Sequence, residues 1–398
     1  MQAIQNNLIT INPTTYLPVY NQLQAYIQQL IEFQKSFVIP ENEMYKLGAA
    51  LRKKLNLQKV QNFQEGYAIA QDWHGKYFHI DKNGVPLYPK KYSKINEFSE
   101  GRAVVNQDNA YFFITLNGDR LNDEEYDVAN SFSDGRAVVE RDGKWFFITE
   151  NGERLNNEVY EEVENFSNGR AAVKQNGKWF FIKKDGARLN EEEYERTESF
   201  SNGRAGVIQN GYWFFIKENG ERLNDEEYES FGNFYNKRAS VQQNGVWFYI
   251  TENGERLNEE KYHYAGNFIN GRARVKQNGK WFYITENGER LNNEEYRDAK
   301  DFSNNRAPVK KGEQYIYISE NGERINMESY EDAESFSNER GRVKQGNKYA
   351  YIKKNGEKLN GQMYDFGGIF YKGYASVKIN NINHTIDING DLVTNSEG

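Results

Sequence analysis

Two rows of arginine recur along this 398-residue chain at a spacing of 34, and they are the side chains best suited to chemistry. The first row is Arg102, Arg136, Arg170, Arg204, Arg238, Arg272, Arg306 and Arg340. The second row is Arg120, Arg154, Arg188, Arg222, Arg256, Arg290 and Arg324. Guanidinium groups aligned in this way could bind a repetitive anionic ligand. Acidic residues recur as often, however, which favours structural pairing of each arginine with a glutamate-rich turn.

Groups suited to catalysis do not recur in this way. The histidines are His74, His79, His263 and His384. They share no position in the repeat, so neither histidine acid–base chemistry nor a zinc site is predicted. The acids at 191–193 are typical of a solvated turn rather than of a glycosidase pair, and the calcium-loop-like segments at 81–84 and 387–391 coincide with predicted hairpin turns. We predict no enzyme, no cofactor and no metal site.

A repeat of about 34 residues over 59–398 must position the arginine rows. Its marker is Phe63, Phe98, Phe132, Phe166, Phe200, Phe234, Phe268, Phe302, Phe336 and Phe370, with one interval of 35 residues. A unit of this size cannot bury its own apolar face, so stacked neighbours must supply the core. Residues 1–58 carry apolar residues at helical spacing over 20–37 and 44–55, on either side of Pro40, and predict a small α-helical cap.

Two Asx-Gly pairs nine residues apart predict two hairpin turns in each unit, and therefore a three-stranded antiparallel meander. In one typical unit the predicted strands are Arg170–Gln175, Lys178–Lys183 and Ala187–Leu189. In the connection between units, Asn224 followed by Glu227 predicts the capped start of a short helical turn.

The differences between copies predict which side chains are buried. A valine three places after the first-row arginine is retained, as in Val173 and Val207, whereas the residue before it varies. The variable residues are Val104, Val138, Ala172, Gly206, Ser240, Arg274, Pro308 and Arg342. We interpret the valine as core and the variable place as solvent-facing, so Val207→Asp should cost far more than Gly206→Asp. Pro308 cannot donate a ladder hydrogen bond and predicts an edge strand.

The second strand is apolar on both faces, which predicts that each sheet packs against a neighbour. One aromatic place changes from Phe113, Phe147, Phe181 and Phe215 to Tyr249, Tyr283, Tyr317 and Tyr351. A ligand that contacts several units alike needs a uniform row of side chains. We therefore predict a partner site on these four tyrosines, with Arg256 and Arg290 as rim contacts; an inter-unit core would show the same uniformity.

The fold class predicted is an all-β tandem repeat of ten three-stranded β-meander units in an open superhelical array with a helical cap. Tyr67 and Tyr374 replace the first-row arginine in the terminal units, and such degenerate ends favour an open array. The alternative is a closed propeller-like ring.

Charge and composition argue against several partners. The net charge is −7, and the repeats are acidic, so no nucleic acid partner is predicted. The chain has no cysteine, no segment that resembles a signal peptide and no apolar stretch of about 18 residues. We expect a cytoplasmic monomer that does not bind membranes.

The segment 75–84 (GKYFHIDKNG), Tyr92 and the segment 98–105 (FSEGRAVV) together resemble the WG repeat, also called the KWG repeat, of bacterial proteins. The chain departs from this pattern where the glycine after tryptophan would stand. The residues at that place are Phe146, Phe180, Phe214, Phe248 and Phe282. The resemblance implies a β-rich repeat array in bacteria and no established reaction.

A repeat array without catalytic residues predicts a scaffold that binds another protein. The alternative is a glycan or cell-wall binding module that stacks sugar rings on an exposed aromatic row including Trp179 and Trp281.

Overall fold

The computed structural model describes residues 41–393, where one α-helix, α1 (Glu41–Lys54), precedes ten three-stranded antiparallel sheets. In each sheet a short strand pairs with a first long strand, which pairs with a second long strand. The short strands are Lys59–Val60, Lys94–Ile95, Val128–Ala129, Glu162–Val163, Arg196–Thr197, Ser230–Phe231, Tyr264–Ala265, Asp298–Ala299, Asp332–Ala333 and Phe366–Gly367. The first long strands are Tyr67–Gln71, Arg102–Gln107, Arg136–Arg141, Arg170–Gln175, Arg204–Gln209, Arg238–Gln243, Arg272–Gln277, Arg306–Lys311, Gly341–Gln345 and Tyr374–Ile379. The second long strands are Tyr77–Asp81, Ala110–Thr115, Lys144–Thr149, Lys178–Lys183, Tyr212–Lys217, Val246–Thr251, Lys280–Thr285, Gln314–Ser319, Lys348–Ile352 and Ile382–Asp387.

We number the units 1–10 in chain order, and the predicted array of ten β units is confirmed. The hairpin of unit 4 turns at Asn176 and Gly177, whose φ angles of 52° and 75° are those expected of a tight Asn-Gly turn. The predicted third strand is wrong, because the segment 187–189 forms only an isolated bridge between Arg188 and Ile182. The third strand of the sheet is instead the short strand Glu162–Val163, which is too short to give a periodic signal.

The first long strand lies in the middle of its sheet, so the edge strand predicted from Pro308 is wrong. The carbonyl of Pro308 accepts a hydrogen bond from the Lys300 amide at 3.1 Å, and Tyr317 lies opposite on the other side. A proline removes one donor from a ladder but leaves its carbonyl available. The other bonds of the strand hold Pro308 in this central position.

The core consists of clusters that join consecutive units. Val138 and Phe147 of unit 3, for example, pack against Phe166, Val173 and Phe180 of unit 4. In units 2–9 each long strand therefore buries one face against the preceding unit and the other against the following unit, as its two apolar faces predict. No unit has a core of its own, which makes stability depend on contacts between neighbours.

The variable place of the first long strand faces the next unit, and the prediction that it faces solvent is wrong. Val104, Val138 and Ala172 are each 2% exposed, and Gly206 is buried as well. A Cβ atom on Gly206 would lie 2.2 Å from Cζ of Phe231 in the next unit. The place instead faces the residue 25 positions later, in the next unit. The pairs are Val104 with Ala129, Val138 with Val163, Ala172 with Thr197, Gly206 with Phe231, Ser240 with Ala265, Arg274 with Ala299, Pro308 with Ala333 and Arg342 with Gly367.

The two ends of the array differ from its middle. Leu51 of α1 packs against Phe63 and Phe78 of unit 1, so the helix covers the first sheet. In unit 10, Ser376 and Thr385 are exposed at places that are buried or half-buried and mostly apolar in other units. A covered first face and a polar last face are typical of an open array with capped ends. The predicted helix over 20–37 lies outside the described residues, and no described helix is long and apolar enough to cross a membrane.

The connection between units contains no helical turn at Asn224, contrary to the prediction. The side-chain oxygen of Asn224 accepts a hydrogen bond from the amide of Glu226 at 3.3 Å, two residues on. This is an Asx turn, which competes locally with helix formation.

The stability of the folded array should decrease in acid because of His79 in unit 1. This histidine occupies the position of Phe113 in unit 2, and its side chain faces the next unit. The buried imidazole accepts the hydroxyl of Tyr88 at Nδ1 (2.6 Å) and donates from Nε2 to the carbonyl of Asn96 (2.9 Å). Burial lowers the pKa of His79 from 6.5 to about 4. The unfolded chain therefore binds the proton first as the pH falls, and the free energy of unfolding should drop by up to about 3 kcal/mol between pH 6.5 and 4.

Urea denaturation at a series of pH values would measure this loss. The matched control is His79→Phe, which introduces the residue found at this place in units 2–5, such as Phe113. The carboxylates titrate in both proteins, so their contribution cancels in the difference. Equal pH dependence of wild type and His79→Phe would contradict the assignment to His79.

Candidate functional site

The four tyrosines of the predicted partner site are core side chains. Tyr249, Tyr283, Tyr317 and Tyr351 are between 0% and 2% exposed. Each hydroxyl donates at 2.6 Å to a backbone carbonyl 17 residues later, as from Tyr249 to Gly266. Burial raises the pKa of Tyr249 well above its ordinary value. The prediction of a partner site on these four rings is therefore wrong, because a partner could not reach them without separating neighbouring units.

Arg256 and Arg290 do not join these tyrosines. Their guanidinium carbons lie 3.8 Å from the ring centroids of Phe248 and Phe282, which face the preceding unit, whereas Tyr249 and Tyr283 face the following one. The same stacking recurs in units 2–7, with distances from 3.7 to 4.2 Å. A cation on an aromatic face shields the ring from water. The second arginine row therefore covers the phenylalanines that stand where the WG pattern has glycine.

The first arginine row forms structural pairs with the next unit, chiefly with backbone carbonyls, while the carboxylates of Glu150, Glu218 and Glu286 lie 3.9 to 4.0 Å from three of the guanidinium groups. Each guanidinium donates to the carbonyl 48 residues later, in a turn of the next unit. The pairs are Arg102 with Glu150, Arg136 with Lys184, Arg170 with Glu218, Arg204 with Glu252, Arg238 with Glu286, Arg272 with Glu320, Arg306 with Lys354 and Arg340 with Ile388. These bonds tie the units together, and with the bonds to nearby turn carbonyls they use two or three of the five N–H donors of each guanidinium.

Asparagines provide a second polar link that sequence reasoning missed. Asn122 Nδ2 donates to the carbonyl of Gly152 in the next unit at 2.6 Å and to the hydroxyl of Tyr126 at 3.1 Å. The bond to the next unit recurs from Asn156, Asn190, Asn224, Asn258, Asn292, Asn326 and Asn360. The signal was the asparagine that follows leucine, or isoleucine in the case of Asn326, in eight successive units.

Serine provides a third link, at the turn that precedes each first long strand. We call the row of these turns the serine edge; in unit 4 its turn is 167–169. The hydroxyl of Ser167 donates to the carbonyl of Phe200 in the next unit at 2.8 Å. The same bond recurs from Ser99, Ser133, Ser303 and Ser337, and Asn202 supplies it in unit 5.

Tyr235 in unit 6 and Ile269 in unit 7 interrupt this serine edge. Each occupies the serine place, and Tyr235 is 45% exposed while Ile269 is partly exposed. Among the described residues no group donates to the carbonyls of Phe268 and Phe302, which the missing serines would have bonded. Two neighbouring units thus replace an internal hydrogen bond by an apolar side chain and leave an acceptor open.

An open groove of about 920 Å³ lies between these two units. Its walls contain Tyr235, Phe268 and Ile269, together with Arg272 and Glu286. Glu286 also lines an adjoining depression with Lys237 and Arg238. We call this feature the Tyr235–Ile269 groove. It combines exposed apolar surface with an unbonded carbonyl and a carboxylate, a combination suited to contact with another molecule.

The tryptophan row is half-buried, and several of its rings already carry a cation of the protein. Lys174 lies 5.8 Å from the ring centroid of Trp179, and Arg274 and Lys276 lie 5.3 and 5.4 Å from that of Trp281. A sugar ring stacking on these faces would have to displace those side chains.

Solved structures share only a distant likeness with the chain. BamB from Moraxella catarrhalis is 13% identical, with a TM-score of 0.32 over 67% of this chain and 92% of that one. Hsv2p from Kluyveromyces lactis is 8% identical, with a TM-score of 0.29 over 57% and 92%. PorZ of Porphyromonas gingivalis is 10% identical, with a TM-score of 0.25 over 84% and 58%. All three scores are below 0.5, so these likenesses support no statement about this chain.

Sequence comparison is more specific. No curated protein matches the chain, and the model of a cell wall binding repeat matches only residues 275–289. The model of the WG containing repeat matches eight times, at residues 80–111, 125–145, 159–179, 193–213, 227–247, 260–281, 295–315 and 329–349. These matches follow the units of the structure one by one from unit 1 into unit 9. The chain is therefore a WG-repeat-containing protein.

Proposed function

We propose that this array is a non-catalytic scaffold that binds another protein at the Tyr235–Ile269 groove, and that it acts as a cytoplasmic monomer. The observation that carries the proposal is the paired replacement of serine by Tyr235 and Ile269 in neighbouring units. Each replacement gives up a hydrogen bond between units and exposes apolar surface. Neither change helps the fold, so a gain in binding explains them best.

The position of the groove also supports a scaffold. Arginine, asparagine and serine links recur on both sides of it and hold the units in fixed relation. A side chain on such a framework loses little conformational entropy when a partner binds. The groove thus presents an ordered apolar surface between two rigidly joined units.

The variant Tyr235→Ser with Ile269→Ser should abolish partner capture while leaving the array at least as stable as wild type. The new hydroxyls can bond the carbonyls of Phe268 and Phe302, as serine does in other units. Affinity purification from cells of the source organism with chemical cross-linking, followed by mass spectrometry, would compare the proteins captured by wild type and variant. Thermal unfolding would verify the fold.

Tyr212→Lys is the matched control. Tyr212 is 50% exposed on the opposite end of the sheet, where Lys144, Lys178 and Lys280 stand in other units. This variant also restores the repeat pattern and removes an exposed aromatic ring, yet it should leave capture intact. Equal capture by the double variant and wild type would refute the groove as the binding site.

A glycan or cell-wall ligand is the second candidate, and the match of a cell wall binding repeat to residues 275–289 favours it. That segment contains Trp281, whose ring is next to Arg274 and Lys276. Binding on a glycan array that is lost in folded Trp179→Ala and Trp281→Ala variants, but kept in the double serine variant, would support this candidate instead.

A further inference from the structure

We propose that the segment of the partner protein that occupies the Tyr235–Ile269 groove is extended and cationic, with an apolar side chain next to a lysine or arginine. This inference rests on the proposed function and adds the chemistry of the partner. Three features carry it: the carboxylates of the turns in and beside the groove, the hydrogen bonds made by the arginines beside it, and the open carbonyl acceptors of Phe268 in its wall and of Phe302 in the following unit.

The carboxylates come from the turn after each second long strand. Glu252, Glu286 and Glu320 occupy the same place in units 6, 7 and 8, as Glu150 and Glu218 do in units 3 and 5, whereas units 4 and 9 have Lys184 and Lys354 there. The carboxylate of Glu286 is 45% exposed, and its nearest cation is Nη1 of Arg238 at 4.0 Å. Glu320 is exposed and has no ion pair among the described residues. Part of the negative charge along this stretch of the edge is thus available to a partner.

The arginines beside the groove are already engaged. Arg238 donates to the carbonyls of Glu286 and Asn236, and Arg272 donates to those of Glu320 and Asn270. Lys237 is exposed but pairs with Glu252 at 3.2 Å. These bonds use two of the five N–H donors of each arginine and hold the guanidinium against the protein, and an anionic segment would meet the carboxylates of Glu286 and Glu320 beside it. A cationic segment is therefore the complementary one.

The open acceptors favour a partner rich in donors that contacts two units. The carbonyls of Phe268 and Phe302 belong to consecutive units and accept no hydrogen bond within the described chain. Backbone amides, ammonium and guanidinium groups are donors, and the last two carry no acceptor that would need its own partner. An extended segment can place an apolar side chain between Tyr235 and Ile269 and still direct donors to both carbonyls. A compact ligand within one unit would satisfy only one of them.

Selection of a phage-displayed library of random peptides of about 12 residues against the full chain tests this chemistry directly. The selected peptides should combine lysine or arginine with an aromatic or aliphatic residue. Their affinity, measured by fluorescence anisotropy, should fall about tenfold or more in the Tyr235→Ser, Ile269→Ser variant and about fivefold in Glu286→Gln. It should also fall as sodium chloride rises from about 0.1 to 0.5 M, and less steeply in Glu286→Gln. Tyr212→Lys should bind as wild type does.

Selection of neutral or acidic peptides, or of none, would overturn the inference, as would cationic peptides that bind Glu286→Gln as tightly as wild type. Peptides that need Tyr235 and Ile269 but carry no cation would leave the proposed function standing while removing this inference. Peptides that bind the double serine variant as tightly as wild type would show that the groove is not the binding site, which would overturn both the proposed function and this inference.

Discussion

Replacing Tyr249 and Tyr283 together by serine should collapse the stability of the central array. Each ring fills the interface to the next unit, packing 5.0 and 4.9 Å from the rings of Phe268 and Phe302 between centroids. Truncation of a buried aromatic side chain costs about 3–5 kcal/mol, so two truncations could consume most of the about 5–15 kcal/mol that stabilises a typical domain. Urea denaturation followed by tryptophan fluorescence would measure the loss.

The matched control is Tyr249→Phe with Tyr283→Phe. Phe215 stands at the same place in unit 5, so the phenyl ring fits the interface, and only the hydrogen bonds to Gly266 and Lys300 are lost. Each lost bond should cost about 1 kcal/mol. If the serine variant melted within a few degrees of wild type and lost only partner capture, these tyrosines would be contact residues after all.

Gly206→Asp should destabilise the array by several kcal/mol, about as much as Val207→Asp, although the sequence pattern predicts a much smaller cost. Any side chain at Gly206 must displace the ring of Phe231, since a Cβ would lie 2.2 Å from its Cζ. The aspartate would also place a carboxylate between two sheets without a partner. Thermal and urea unfolding of the two variants side by side would rank them.

A double-mutant cycle separates the steric cause from the charge. Gly206→Ser alone should cost about 1–3 kcal/mol through overpacking. Gly206→Ser with Phe231→Ala recreates the pair formed by Ser240 and Ala265 one unit later and should recover most of that loss. Strictly additive effects of the two substitutions would show that Gly206 and Phe231 are not coupled.

The turns and long strands could be predicted because their signals are local. Asn176-Gly177 needs positive φ at two adjacent residues, and that requirement is visible in the dipeptide itself. The faces were harder to predict, because variation at Gly206 looks like solvent exposure until it is compared with Phe231, 25 residues away and in another unit. The change from Phe215 to Tyr249 similarly reflects a hydrogen bond to Gly266 that no local pattern reveals.

The candidate site was missed for a related reason. A uniform row such as Tyr249 and Tyr283 attracts attention in a repeat, but uniformity is also what a repeated core requires. Tyr235 and Ile269 depart from the serine of their neighbours, and an alignment of the units shows that departure. Its meaning depends on the bond from Ser167 to Phe200 in the next unit, which only the structure supplies.

The tight fit of Gly206 against Phe231 bears on how ten similar sequences avoid pairing with the wrong neighbour while the chain folds. A slip by one unit would bring Ala172 against Phe231, where even the Cβ of an alanine at Gly206 has no room. The same slip farther along would bring Arg274 against Ala333, which is no larger than its native neighbour Ala299. Misassembly is a characteristic hazard of repeat proteins, and the junction of Gly206 and Phe231 works against it near the middle of the chain. Once the units that contain Gly206 and Phe231 have paired correctly, the pairing of the remaining units follows from their order along the chain.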